Sequence, residues 1–96
     1  MSFVASTTQA HTSSYTLPYT FDLDKWYIIS GVQRQTTDVL TFLSGFTSYG
    51  AIYGYNETSY SSYGNRVWFG KATSSTVTVS ITGNNTIIMI GELNPS

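Results

Sequence analysis

The stretch that decides the fold lies near the end of the chain: Thr76-Val-Thr-Val-Ser-Ile-Thr82, then Gly83-Asn84-Asn85, then Thr86-Ile-Ile-Met-Ile-Gly-Glu92. In the first segment Val77, Val79 and Ile81 alternate with four hydroxyl residues. A period of two puts the three apolar side chains on one face of a strand. Gly83-Asn84-Asn85 is a tight connection in residues that tolerate positive φ. The second segment is apolar at odd and even positions alike, the pattern of a central strand covered on both faces. The reading predicts a closing β-hairpin over residues 77–93.

Working back from that hairpin, the same texture recurs about every ten residues. Tyr15-Thr-Leu-Pro-Tyr-Thr-Phe21 alternates, with Pro18 restricting it to a sheet edge or a bulge. Asp22-Leu-Asp24 is a turn, and Trp26-Tyr-Ile-Ile-Ser30 is an aromatic and β-branched strand ending at Gly31. Residues 39–43, 51–55 and 66–70 add three more short strands. No helical period occurs, and Ser, Thr and scattered Gly disfavour long helices. The expectation is an all-β chain: a small antiparallel β-sandwich of jelly-roll or Greek-key type with about seven strands, a small barrel being the second choice. Residues 1–14, rich in Ser and Thr, are set apart as a flexible or docking N-terminal arm, and residues 15–96 as the single domain. Trp26 and Trp68, each inside an apolar strand, are assigned to the core.

Composition bounds the function. Ninety-six residues hold one core and bury roughly 60–65% of the unfolded surface, a thin margin for a lone monomer. There are no cysteines, so neither disulfides nor a thiolate metal site is available. Charged residues make up 9% of the chain, against about 25% in ordinary soluble domains. Ser and Thr coat the surface instead, with 29 of 96 positions. Such a surface desolvates at little cost, which suits a chain that works packed against others. Four scattered basic residues do not match a phosphate backbone, so nucleic acid is not an expected partner. The longest apolar run, residues 87–90, is far below the ~18 residues of a membrane span. The opening MSFVASTTQAHTSS lacks a basic and then apolar leader, so no secretory signal is expected, and cytoplasmic synthesis followed by assembly is.

Catalytic constellations are weak. His11, the single histidine, stands in the polar arm without a nearby carboxylate. Asp22 and Asp24 share a face if extended, but they lack the ligand number of a calcium loop, and Lys25 adjoins them. Asn56-Glu-Thr58 and Asn84-Asn-Thr86 fit the glycosylation pattern and read more simply as turn chemistry. The expectation is therefore no enzyme, no cofactor and no metal.

The candidate contact surface is the segment SGFTSYGAIYGYNETSYSSYG, residues 44–64, read as a loop with five tyrosines, four glycines and one charge, Glu57. Tyrosine gives a rigid amphipathic contact and the small polar residues give adaptable hydrogen bonds. Tyr49, Tyr53, Tyr55, Asn56, Tyr60 and Tyr63 are the candidate ligand- or partner-binding residues. They suit either packing against another subunit or stacking on the apolar face of a sugar.

Three features together resemble small β-domains of bacteriophage virions, such as tail-fibre tips and decoration proteins. These are the strand Lys25-Trp-Tyr-Ile-Ile29, the charge-poor Gly/Tyr/Ser middle, and the closing segment over residues 77–93. The resemblance implies a virion structural or host-attachment module, self-associated as a trimer, that contacts other virion proteins, a receptor or a cell-surface glycan. Val77, Val79, Ile88 and Ile90 are the residues expected to bury between subunits. The alternative function is a soluble lectin-like domain that binds carbohydrate through the tyrosine-rich segment.

Overall fold

The structure, a computed structural model, describes residues 1–34, 40–57, 62–81 and 86–93. The described residues form eight strands: β1 (Ser2–Gln9), β2 (Thr12–Thr16), β3 (Trp26–Arg34), β4 (Leu40–Ser44), β5 (Phe46–Glu57), β6 (Ser62–Ala72), β7 (Thr78–Ile81) and β8 (Thr86–Leu93). They make two antiparallel sheets, a five-stranded one ordered β1-β8-β3-β6-β5 and a three-stranded one ordered β2-β7-β4. The chain is a small all-β sandwich. The ladders β1·β8, β2·β7 and β3·β6 pair strands from opposite halves of the chain, as in a long hairpin rolled on itself. That rolled pairing gives the jelly-roll order, with β5 laid beside β6 at the edge of the larger sheet.

The core lies between the sheets and follows from alternation. On the inward face of the larger sheet, the register aligns Ala5, Ile90, Ile29 and Trp68 across four strands. Val77, Val79 and Ile81 meet them from the smaller sheet, each fully buried, as their period of two predicts. Leu17 and Phe21 close one side from the segment after β2. There Leu17 and Phe21 donate their N–H groups to the carbonyls of Val77 and Ser75, at 2.9 and 2.8 Å. Phe42 sits edge-on to Trp68, and Phe21 edge-on to Tyr27.

Several expectations are corrected. Strands β7 and β8 do not form a hairpin: β7 pairs with β2 and β4, whereas β8 pairs with β1 and β3 in the other sheet. Residues 83–85 lie outside the described residues. Val77, Val79, Ile88 and Ile90 face the chain's own core with at most 1% exposure, so they are not available for burial between subunits. Residues 1–14 are not an arm here: they form β1 and the start of β2, so an eighth strand joins the seven expected. The reason is that the edge of β8 offers backbone N–H and C=O groups, which a Thr-rich strand can pair whatever its side chains. The strand expected over 15–21 stops at Thr16, just before Pro18, which has no N–H to give a ladder. Trp68 is in the core, but Trp26 is half-buried on the outside of the larger sheet.

Candidate functional site

The described residues between 44 and 64 are not a loop. They turn at Gly45 and run out along β5 and back along β6, the antiparallel pair at one edge of the larger sheet. Gly45 has φ +90°, and a Cβ there would run into the Thr76 carbonyl. Thr73 donates its N–H to the Gly45 carbonyl at 2.8 Å, holding the turn against the β6–β7 connection. The register pairs Tyr53 with Arg66, Tyr55 with Gly64 and Asn56 with Tyr63, which places these four candidate residues in the distal half of the hairpin. Tyr60 lies outside the described residues. Tyr49 occupies a bulge between Ser48 and Gly50 and is 64% exposed.

At that bulge Tyr49 meets other aromatics. Its ring is 5.1 Å from that of Trp26, which stacks on Phe69 at 4.9 Å with an interplanar angle of 7°. Lys71 Nζ stands 5.3 Å from the centre of the Trp26 ring, a cation–π contact. This group is the margin of a larger surface that the tyrosine pattern alone does not reveal.

The outward face of the five-stranded sheet is apolar. Two registers run across its middle: Phe3, Gly91, Ile28, Phe69, Gly50 in one, and Ser6, Met89, Ser30, Val67, Ile52 in the next. Ile52 is 74% exposed, Phe3 61%, Ile87 49%, Met89 47% and Phe69 40%. Of nine large hydrophobic side chains exposed among the described residues, seven lie on this face; Leu23 and Leu43 are elsewhere. Met1 folds over the flat spot at Gly91, its sulfur 3.0 Å from where a Cβ would be. Met1, Phe3, Ile28 and Met89 line a shallow apolar hollow there of about 180 Å³. The sequence does carry a signal for this face. Ile87 and Met89 are what make β8 read as covered on both sides, and within one chain nothing among the described residues covers them.

The charged groups at this same end of the sheet, beside Tyr27, are occupied with one another. Glu92, nearly buried, takes Lys25 Nζ at 3.0 Å on one oxygen and the Tyr19 hydroxyl at 3.2 Å on the other. Burial, then the neighbouring Tyr27 and Glu92, hold the Tyr19 phenol well above its ordinary range. The Glu92 carboxylate likewise raises the Lys25 ammonium. Asp22 and Asp24 form an Asx turn in which Asp24 N–H donates to Asp22 Oδ1 at 2.9 Å. Asp22 N–H donates in turn to the buried Tyr27 hydroxyl at 2.8 Å. These contacts are those of a loop anchored to a sheet. His11 is exposed between β1 and β2. No cluster of three or more metal-ligating side chains occurs among the described residues.

Comparison with protein-family models, with characterised proteins and with solved structures gives no match, so the site is read from its own geometry.

Proposed function

We propose that this chain is a non-enzymatic structural and attachment module of a phage virion, one that works by self-association. The observation that carries the reading is the uncovered apolar face of the five-stranded sheet. Exposed contiguous apolar surface beyond a few hundred Å² marks an interaction site in soluble proteins, and this face spans a whole sheet. Two further features support it. The rolled strand pairing is an architecture used by viral capsid domains, an argument by analogy of fold. The low charge, 9% of residues, makes the remaining surface easy to desolvate against a neighbour. The β5–β6 hairpin with its tyrosines is then left to contact a receptor or another virion protein.

Two measurements test this. Light scattering on the purified chain should give a multiple of 10.6 kDa, and mass spectrometry of purified particles from the source should find the chain in stoichiometric amount. A monomer at high micromolar concentration together with absence from particles would sink the proposal.

A second reading has its own observation, the Tyr49–Trp26–Phe69 group with Tyr49 exposed at its rim. Aromatic platforms of this kind stack on sugar rings, and the lectin-like alternative places carbohydrate there and along the hairpin. A glycan array decides it: reproducible binding lost in Tyr49→Ala or Tyr53→Ala supports sugar recognition, and a silent array removes it.

A further inference from the structure

We propose that the apolar face is covered by a second copy of this chain, the two five-stranded sheets packing outer face to outer face about a two-fold axis that runs along β3. The inference rests on the self-association put forward above and specifies its surface, partner and symmetry.

Area comes first. Five strands at ~4.8 Å spacing, with about eight residues each at ~3.3 Å per residue, give a face near 24 by 27 Å, or ~650 Å². Two such faces bury ~1,300 Å², inside the ~1,200–2,000 Å² of stable interfaces. Sheets stack in this way at a separation of ~10 Å, with their strands within about 30° of each other.

Symmetry supplies the second argument. In the order β1-β8-β3-β6-β5, β3 is the middle strand. A two-fold axis along it lays β1 over β5 of the second copy, β8 over β6, and β3 over itself. The register Phe3, Gly91, Ile28, Phe69, Gly50 is then self-complementary. Phe3 stands opposite Gly50 of the second copy, Phe69 opposite the Gly91 hollow that Met1 lines, and Ile28 opposite its own equivalent. Bulk meets glycine on both sides of the axis. The same rotation sets Lys71 opposite Leu93 rather than opposite another Lys71, so like charges are not superposed. A heteropartner would need to match this pattern independently. A three-fold ring would have to set the face against a different surface, because its interfaces are heterologous.

The test compares wild type with Met89→Lys and Ile52→Lys on the face, and with Leu43→Lys on the smaller sheet. All three residues are at least 47% exposed in the single chain, so folding of the monomer does not depend on them. Circular dichroism at low concentration checks this, and two face variants guard against one failing to fold. By light scattering from 1 to 100 μM, wild type and Leu43→Lys should approach twice 10.6 kDa. Each face variant should raise the dissociation constant at least ~30-fold, the effect of a residue central to an interface. Oligomers that persist in both face variants overturn this surface yet leave self-association standing. A mass of three copies overturns the two-fold. A monomeric wild type, including one that instead binds neutral lipid vesicles, overturns both this inference and the self-association beneath it.

Discussion

At the scale of single residues, Glu92 carries the clearest consequence. Its carboxylate sits near the C-terminal end of β8 and is satisfied by one cation and one phenol. Both partners hold their protons more tightly in the folded chain than in the unfolded one, where their ordinary values are 10.5 for Lys25 and 10.0 for Tyr19. Between the unfolded and folded values the unfolded chain binds fewer protons, so stability falls as pH rises. The contribution is complete below about pH 10 and is lost progressively above it. Urea midpoints measured from pH 8 to 11 should fall across the upper part of that range. Tyr19→Phe keeps the edge-on packing against Phe21 but removes one titrating group. It should start about 1 kcal/mol less stable at pH 8 and show a shallower alkaline decline. An unchanged slope would mean that the phenol is not coupled to folding. Gly45 gives a second prediction. With φ +90° and the Thr76 carbonyl against it, Gly45→Ala should cost about 2–3 kcal/mol. A variant within 0.5 kcal/mol of wild type, on the scale of ordinary surface changes, would show that the turn can shift.

At the scale of elements, neighbouring residues of β8 answer to different surroundings. Ile90 is 1% exposed and faces Ile29 across the ladder, whereas Met89 points outward. Ile90→Ala should destabilise by about 3–4 kcal/mol, as large-to-small changes in close-packed cores do. Met89→Ala, measured where the chain is dilute, should cost less than about 1 kcal/mol. Reversed costs, with Met89→Ala the more damaging, would mean that the register is slipped by one residue. Alternation makes the strand preceding β8 legible from the residues alone: Val77, Val79 and Ile81 have to share a face, and they do. Which sheet each strand joins is not legible. A few residues span either ~4.8 Å to a ladder partner or ~10 Å to the facing sheet, so the connection after β7 fits a hairpin and a crossover equally. The strand β1 is hidden for a related reason. Its Ser and Thr side chains look like those of a tail, and the backbone pairing with β8 that holds it leaves no mark on side-chain pattern. Gly and Ser make residues 44–64 resemble a loop, although Tyr and Thr favour strands.

At the scale of the whole molecule, the outer face links the poor charge of the sequence to a working surface. Of the six candidate residues, Tyr49 belongs to that face and four others occupy the hairpin beside it, so residue pattern locates the segment but not the larger surface. Ile87 and Met89 read as covered, which holds only if something beyond the described residues covers them. If a second copy does, stability becomes a property of concentration, because association with the folded form shifts unfolding by mass action. The thermal midpoint should rise on going from 1 to 100 μM in wild type and stay flat in Met89→Lys. Salt then separates an apolar interface from an ionic one. With no facing ion pairs, the dissociation constant should move less than about 3-fold between 50 and 500 mM sodium chloride, since screening acts on charges. Sodium sulfate should tighten it by strengthening burial, and association should carry a negative heat-capacity change. A dimer that dissolves in sodium chloride instead would be held by charges, and four basic against five acidic residues would then have to supply them.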